Sequence, residues 1–389
     1  MIRRLGAGSL AAAALLAAAA CGGSDGPPSL SGTISYEDRA QQTNGRLATE
    51  LVPMPARGVT VSLINEADGA VLTTVTTDDD GRYTIDFVEP LVEPTEPVHL
   101  LAAAMNMSPE RPIQVVRRDR QVFGAGGEAF TYQDGTDVDL LITEASGVAE
   151  AFNVFDMAVR SHDAVTARLA LTPTPITLIW EKGSNDGTYY SGDNTVHLLG
   201  AASDDDGYDD TVILHEIGHF FEDTIGRSDS PGGGHDGSPT DPNLAWSEGF
   251  ATYWAMAVQD VPFYGDSNSG GGWGYNADTE VTRAPQPTGD IGQDVGENLI
   301  TGVLWDLGDA PSGDDDQLAG DHLRVLNVQP TYLRTAALRN VGEPGVDLVD
   351  FLDGFFVADG LDHCAAVRQI VVTTHTFPYD FGGPGGRCP

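Results

Sequence analysis

The chain has 389 residues, enough for two ordinary domains, and 41% of them are hydrophobic, so a globular, loop-rich protein is expected rather than a disordered one. Lys and Arg number 20 against 58 Asp and Glu, which gives a formal net charge of −38. No basic patch offsets this charge, so nucleic acid is excluded as a partner. Acidic runs at residues 78–80, 204–206 and 314–316 could coordinate Ca²⁺, but none has the spacing of an EF-hand loop, and solvated loops are the alternative.

The first residues have the pattern of an export signal. Arg3 and Arg4 precede an apolar stretch over residues 5–20, and a segment rich in Gly, Ser and Pro follows Cys21. The stretch is too short and too rich in alanine for a membrane span, which takes about 20 strongly apolar residues. We therefore expect residues 1–20 to be a signal peptide that is removed and residues 21–31 to be a flexible tether.

The sequence around Cys21 resembles the lipobox of bacterial lipoproteins, in which such a cysteine becomes the lipidated first residue. Three alanines, residues 18–20, precede it, although the family most often has Leu where Ala18 stands. The resemblance implies an exported lipoprotein held on a lipid bilayer through Cys21, and Gly22 favours the outer membrane or cell surface. An ordinary signal peptide is the alternative. Cys364 and Cys388 then remain as a pair, and an exported chain can hold them as a disulfide.

Short β-rich segments follow the tether, and they predict an all-β sandwich over residues 32–144. Strands are expected at residues 32–36, 59–65, 70–77, 83–87, 98–103, 113–117, 129–132 and 138–142. The order of G-V-T-V-S-L at residues 58–63 and T-T-D-D-D-G-R-Y at residues 76–83 resembles carboxypeptidase regulatory-like or Cna-B-like β-sandwich modules. Such modules are spacers or adhesion units, so no chemistry is assigned here.

Beyond residue 144 the apolar residues change to helical spacing, which indicates a second, α+β domain over residues 145–389. Helices are expected at residues 148–169, 211–224, 244–258, 297–307, 321–325 and 348–356, and strands at residues 175–180 and 195–199. The domain is therefore mainly helical from residue 211 onwards.

The motif H-E-I-G-H at residues 215–219 carries the chemistry. It lies in a segment whose apolar residues fall on one helical face, while His215 and His219 fall on the other. Residues four apart lie one above the other on a helix, so both imidazoles can bind one ion while Glu216 reaches the ion's water. Asp209 or Asp210 is well placed to cap this helix.

A catalytic zinc ion takes three protein ligands and leaves a fourth position for water, so a third ligand is needed. The metzincin pattern fails, because Glu222 and Ile225 stand where it requires Gly and His. Glu248 lies in W-S-E-G-F-A at residues 246–251, and a carboxylate in so apolar a helix is costly to bury without a partner. Glu248 is therefore the predicted third ligand, although His and Glu also suit other divalent metals.

Residues 151–355 resemble the bacterial secreted gluzincin-type (HExxH…E) zinc metallopeptidases. The shared order is a strand, an acidic stretch, the H-E-x-G-H motif, a Gly-rich loop, W-x-E-G-F-A and a helix with L-W-D-L at residues 304–307. The resemblance implies a zincin-like domain that binds one Zn²⁺ through His215, His219 and Glu248. Glu216 would be the general base that assists attack of a metal-bound water on a peptide bond, and residues 195–199 would be the edge strand that pairs with the peptide substrate.

The sequence departs from thermolysin-like enzymes at Thr252, where those enzymes have an acidic residue that supports a metal-bound histidine. Asp223, Asp306 or a backbone carbonyl could take over that role. A donor to the oxyanion is also needed, and Tyr253, His235, Tyr275 and His322 are open candidates.

Two other functions compete with the peptidase. The chain could be a lipid-anchored binding or adhesion protein whose degenerate peptidase domain holds zinc structurally, although a structural site has no need of Glu216. The same residues could also hydrolyse another amide.

Overall fold

A computed structural model describes residues 29–86, 96–132, 135–277, 293–309, 318, 320–359 and 362–381. The signal peptide, Cys21, Cys388 and the acidic run at residues 314–316 lie outside these residues, so the roles assigned to them remain predictions. Within the described residues, no helix is long and apolar enough to cross a membrane. Cys364 is disulfide-bonded. Its pairing with Cys388 stays a prediction, since both other cysteines are outside the described part of the chain.

Strands dominate the N-terminal part of the chain. They are β1 (Ser29–Asp38), β2 (Val52–Pro55), β3 (Thr60–Asn65), β4 (Val71–Thr76), β5 (Arg82–Asp86), β6 (Pro97–Ala103), β7 (Met105–Asn106), β8 (Ile113–Val116), β9 (Gly124–Gly126), β10 (Phe130–Thr131), β11 (Thr136–Asp137) and β12 (Leu140–Ile142). In one five-stranded sheet, β1 pairs antiparallel with β2 and β5 and parallel with β11 and β12. A second has the order β10-β6-β3-β4, with β9 beside β6.

Alternating burial makes these sheets half-buried layers. Along β1 every second residue is buried, including Leu30, Ile34 and Tyr36. Val61 of β3 and Leu100 of β6 belong to the same apolar cluster. Because successive side chains of a strand point to opposite faces, this period of two is the pattern that predicted the strands.

A third sheet crosses the predicted boundary at residue 144. Its order is β14-β15-β13-β8-β7, with β13 (Ile176–Ile179), β14 (Tyr189–Tyr190) and β15 (Thr195–His197). Here β8, predicted as part of the sandwich, pairs in parallel with β13 from Ile176↔Ile113 to Ile179↔Val116. The N-terminal strands therefore extend the sheet of the second unit, and one apolar cluster spans both.

Helices and two small hairpins make up the rest of the described chain. The helices are α1 (Ala149–Asp163), α2 (Asp210–Ile225), α3 (Pro242–Gln259), α4 (Glu297–Gly308), α5 (His322–Leu326), α6 (Leu348–Asp359) and α7 (Cys364–Arg368). The hairpins are β16 (Gly200–Ala201) with β17 (Asp204–Asp205), and β18 (Phe263–Asp266) with β19 (Trp273–Asn276). The fold thus mixes β-sheets and helices, with the strands first and the helices later.

Several elements differ from the sequence prediction. The helix predicted over residues 148–169 ends as an α-helix at Asp163 and continues as a π-helical turn, Ala164–Arg168. The hairpin β18–β19 was not predicted, because its glycines hide the alternation of apolar residues. Asp209 occupies the N-cap position of α2 but makes no cap hydrogen bond. The side chain of Gln41 accepts from the Thr211 amide at this helix start instead.

Candidate metal centre

Two closely packed helices carry the H-E-I-G-H motif and Glu248. Asp241 fixes the start of α3, because its carboxylate accepts hydrogen bonds from the amides of Asn243 and Leu244. Gly218 of α2 faces α3, and a Cβ placed there would lie 2.9 Å from Ala251 Cα and 3.1 Å from Ala251 O. The glycine of the motif therefore allows the helix axes to approach until Glu248 reaches the two histidines.

The three predicted ligands converge on one point. His215 Nε2 lies 3.1 Å from His219 Nε2 and 3.2 Å from Glu248 Oε2, and His219 Nε2 lies 3.1 Å from the same oxygen. His215 and Glu248 are more than nine-tenths buried. Within the described residues these three side chains form one of two groups that could hold a metal ion.

This donor set fits a zinc ion. Zinc–nitrogen and zinc–oxygen bonds of about 2.0–2.2 Å in a tetrahedron give ligand-to-ligand distances of roughly 3.3–3.5 Å. The observed separations of 3.1–3.2 Å are close to these. Two imidazole nitrogens and one carboxylate oxygen that converge in this way could be bridged by a single cation. That they bind zinc remains a prediction, because the geometry shows only that they could.

Ser247 connects His219 to a buried carboxylate. Its hydroxyl donates to Glu222 Oε2 at 2.5 Å and lies 3.2 Å from His219 Nδ1. The direct distance from His219 Nδ1 to Glu222 Oε2 is 3.9 Å, which is too long for a hydrogen bond. Because the serine proton points to Glu222, the serine oxygen accepts from Nδ1–H. With Nδ1 engaged in this way, Nε2 is the nitrogen of His219 that would bind a metal.

Thr252 gives His215 a similar partner. Its hydroxyl oxygen lies 3.1 Å from His215 Nδ1. Thr252, which departs from the thermolysin-like pattern, thus orients the histidine itself. Asp223 and Asp306, the acidic candidates for this role, are engaged elsewhere: Asp223 accepts from Tyr190 at 2.8 Å, and Asp306 lies 2.5 Å from His375 Nε2.

The charges of the site stabilise one another. Burial by itself raises the pKa of Glu248, but hydrogen bonds and charge interactions with His215 and His219 outweigh it and hold that pKa well below its usual range. Burial lowers the pKa of His219, yet Glu222 and Glu248 outweigh it and raise that pKa well above its usual value. Glu248 is therefore an anion suited to a cationic ligand.

Glu216 lies beside the ligands in a cleft of about 960 Å³. Its side chain is mostly buried, and the cleft also contains His215, His219 and Glu248. This position suits a base that acts on a water in the cleft.

Tyr264, on β18, is a cleft residue that the sequence analysis missed. Its ring centre is 5.6 Å from that of His215. Burial and the nearby carboxylates of Glu216, Asp266 and Asp206 raise its pKa well above the usual value, so the phenol keeps its proton. The only sequence signal was an aromatic residue in a glycine-rich stretch, which does not indicate a role.

The four candidate oxyanion donors of the sequence analysis all lie close to other groups of the protein. The Tyr253 hydroxyl is buried 2.9 Å from His322 Nδ1, and the Tyr275 hydroxyl donates to Asn298 O at 3.0 Å. His235 lies in the cleft, but its Nδ1 is 2.8 Å from Glu297 Oε2 and its Nε2 is 3.3 Å from Glu248 Oε2. Both of its nitrogens therefore face carboxylates.

A group of three carboxylates also lines the cleft. Asp204, Asp206 and Asp266 form the second group in the described chain that could hold a metal ion. Burial and mutual repulsion, against a hydrogen bond from Thr188, raise the pKa of Asp206 to about 7. In the run at residues 204–206, Asp205 faces away and accepts from Trp180 Nε1. Calcium at this place stays a prediction.

The run at residues 78–80 is a turn held by its own hydrogen bonds. Asp78 accepts from the amides of Asp80 and Arg82, and Asp79 pairs with Arg111. These partners explain the run without a metal ion.

The predicted edge strand is covered. Residues 195–199 contain β15, which pairs with β13 on one side and with β14 on the other, through Tyr189↔His197 and Tyr190↔Val196. Within the described residues the edge of the sheet is therefore β14, and Tyr189, Tyr190 and Ser191 line the cleft. The interpretation of residues 195–199 as the edge is wrong, because a two-residue strand was not recognised in the sequence.

The protein thus combines β-sheets and helices, and a group of two histidines and one glutamate that could hold a metal ion lines its cleft. Residues 158–371, more than half of the chain, match the family model of the Mycolysin C-terminal domain, so the chain belongs to that family. The matched range contains α2, α3 and α4. The family relates the chain to peptidases, although membership of a domain family does not by itself establish catalysis.

Other comparisons add little. No curated protein matches the chain. Among solved structures, a 9R-lipoxygenase from Cyanothece is similar over 42% of this chain and 27% of its own, with 11% identity and a TM-score of 0.19. The chain thus spans about a quarter of the length of that lipoxygenase, and a likeness of this extent supports no conclusion about fold or function.

Proposed function

We propose that this protein is a zinc-dependent peptidase in which His215, His219 and Glu248 hold the metal and Glu216 is the general base. The observation that carries the proposal is the convergence of three metal-ligand atoms, 3.1–3.2 Å apart, beside a mostly buried Glu216 in an open cleft. The relation of the family to peptidases supports it independently.

The residues divide the chemistry between them. A bound zinc ion would polarise the scissile carbonyl and lower the pKa of a coordinated water toward about 7. Glu216 takes a proton from the attacking water while the water oxygen forms a bond to the carbonyl carbon. Glu216 then passes that proton to the leaving nitrogen, the C–N bond breaks, and a carboxylic acid and an amine are formed, between which the second water proton finally moves to give a carboxylate and an ammonium ion. Ser247 and Thr252 keep both histidines oriented throughout.

The substrate is a peptide or protein segment in extended conformation. In the described chain, β14 is the sheet edge, and Tyr189, Tyr190 and Ser191 line the cleft that holds the ligands. An extended peptide could add to such an edge through main-chain hydrogen bonds, which bring a peptide bond to the ligands without requiring one particular side chain.

We also propose that the protein is exported and anchored to a bilayer through lipid on Cys21. The disulfide of Cys364 supports export, because such bonds persist in oxidising compartments. Mass spectrometry of the N-terminal peptide from isolated membranes should detect a diacylglyceryl group on Cys21. An unmodified cysteine there would refute the anchor and leave the peptidase proposal untouched.

The alternative, an adhesion protein with a degenerate zinc domain, is less well supported. A structural zinc site closes its coordination with protein ligands and has no use for a base in an open cleft. Here Glu216 is retained and the cleft of about 960 Å³ reaches the ligands.

The deciding experiment compares wild type with Glu216→Gln on a mixed peptide library, with zinc content measured on the same samples. We expect about one zinc per chain in both proteins. Only the wild type should cleave, and a chelator should abolish its cleavage, because the variant keeps the ligands and loses the base.

The matched control is Glu110→Gln, which removes an exposed carboxylate of the N-terminal part and should cleave like wild type. Cleavage by Glu216→Gln at the wild-type rate would refute the assigned base. Zinc in both proteins with cleavage by neither would favour the structural site instead.

A further inference from the structure

The hairpin β18–β19 is tied to the helix that carries the metal ligands. Thr211 lies one turn before His215 on α2, and its hydroxyl donates to Gly265 O at 2.6 Å and lies 3.0 Å from Gly265 N. Two residues after Gly265, Ser267 donates hydrogen bonds to the Asp209 carboxylate from both its amide and its hydroxyl. These buried hydrogen bonds fix the position of β18 relative to the two histidines.

Tyr264 is the residue of β18 that precedes the anchored glycine. Its ring lies against His215, with the two ring centres 5.6 Å apart, and against Trp273 at the same distance. It also lines both the cleft and an adjoining cavity of about 390 Å³ that contains His215 and Thr252. The Tyr264 ring thus lies beside His215, on a strand that buried hydrogen bonds hold against α2.

The hydroxyl of Tyr264 has no hydrogen bond to any of the described residues, in contrast to the other donors near the site. The Tyr275 hydroxyl is used by Asn298, the Tyr253 hydroxyl by His322, and the nitrogens of His235 face Glu297 and Glu248. A phenol hydroxyl that lines the cleft and has no hydrogen-bond partner among the described residues is available to a substrate oxygen.

We propose that Tyr264 is a catalytic residue, whose hydroxyl donates a hydrogen bond to the scissile carbonyl oxygen as that oxygen becomes negatively charged. The inference rests on the proposed peptidase function. No proton is transferred in this step, since Tyr264 only shares its O–H with the developing oxyanion. A donor aimed at charge that develops in the transition state lowers the barrier without tightening substrate binding.

The test is Tyr264→Phe, which keeps the ring and removes only the hydroxyl. We expect kcat to fall by about 10²–10³ with little change in KM, the size found when one oxyanion donor is removed. Tyr83→Phe is the matched control, because it also removes one tyrosine hydroxyl, which donates to Val138 O at 2.8 Å, and Tyr83 lines neither the cleft nor the adjoining cavity. That variant should keep the wild-type kcat.

A second measurement does not depend on turnover. A phosphinic peptide, whose tetrahedral phosphorus carries two oxygens in place of the reacting carbonyl, should bind Tyr264→Phe about 10²-fold more weakly in calorimetry. An uncleaved substrate peptide in the Glu216→Gln background should bind equally with and without the Tyr264 hydroxyl. Zinc content should stay at the wild-type level, because Tyr264 is not a ligand.

Each other outcome overturns the inference. A kcat within about threefold of wild type, a change in KM alone, or unchanged phosphinic peptide affinity would mean that Tyr264 does not bind the oxyanion. Loss of folding or of zinc in Tyr264→Phe would contradict the premise that its hydroxyl has no structural partner. If the wild type does not cleave, the proposed peptidase function is refuted. If the wild type and Tyr264→Phe cleave equally well, only the role of Tyr264 is refuted.

Discussion

Replacing Ser247 by alanine removes the hydroxyl that joins His219 to Glu222. In the native chain this oxygen lies 3.2 Å from His219 Nδ1 and donates to Glu222 Oε2 at 2.5 Å. Without it, the nearest carboxylate oxygen is 3.9 Å from Nδ1, so the imidazole loses the acceptor that fixes its tautomer and its orientation. Zinc affinity should therefore fall although every ligand is still present.

The magnitude follows from two losses. Removal of a group that orients a metal ligand lowers metal affinity about 10–100-fold, which corresponds to about 1.4–2.7 kcal/mol. Glu222 is almost completely buried and also loses the hydroxyl donor, which should lower the free energy of unfolding of the metal-free protein by about 1–3 kcal/mol. Glu222→Gln should have a smaller effect on zinc affinity, since the amide oxygen can still accept from Ser247.

The assay is competition for zinc against a chromophoric chelator, together with urea unfolding of the metal-free proteins. A double-mutant cycle of Ser247→Ala and Glu222→Gln should be non-additive, because both changes interrupt one network. Zinc affinity of Ser247→Ala within about twofold of wild type would refute the argument that this hydroxyl orients His219. Additive losses would show that Ser247 and Glu222 act separately.

Two further predictions concern packing and pH. Gly218→Ala places a methyl group about 3 Å from the backbone of Ala251, and this overpacking should cost about 1–3 kcal/mol. The cost should outweigh the gain of about 1 kcal/mol in helix propensity, so calorimetry should give a lower melting temperature. Ala251→Gly should not restore it, because the contacts with residue 251 are to backbone atoms. Burial raises the pKa of Asp209 in the folded protein to about 8, although hydrogen bonds from Ser267 oppose this shift. Because this pKa is above the value in the unfolded chain, the contribution of Asp209 to stability is present below about pH 4 and is lost as pH rises through about 8. Asp209→Asn should therefore flatten the decline of the unfolding free energy between about pH 5 and about pH 8 in urea titrations, and an unchanged slope would contradict this.

The helix α2 was predictable because its apolar residues recur at helical spacing. The apolar residues Val212, Ile213, Ile217 and Phe220 of α2 are all buried, which is the pattern that predicted the helix and its polar side. The spacing of His215 and His219 then required that both face one point, and a carboxylate in an apolar helix indicated Glu248. The convergence of the two histidines depends on helix geometry that their spacing already encodes, whereas the approach of Glu248 depends on the close packing of α3 against α2 at Gly218.

The partners of the ligands were not predictable, since they depend on how two helices are rotated against each other. Ser247 and Thr252 are hydroxyl residues of a kind found in many helices, and their spacing in α3 does not distinguish them from hydroxyls on a helix surface. Asp223 and Asp306 had the expected acidic chemistry, yet packing turns them toward Tyr190 and His375. A hydroxyl can replace a carboxylate only when the backbones approach closely, and that approach is a tertiary property.

A strand pairing across residue 144 was not predictable for a related reason. Alternation predicted a strand over residues 113–117, but alternation does not specify which strand will be its neighbour. The structure pairs β8 with β13, so the N-terminal strands support the same sheet whose other edge, β14, lines the cleft. Residues 32–144, which resemble a spacer or adhesion module, therefore contribute β7 and β8 to the sheet that lines the cleft, and the removal of these strands would expose the edge of β13.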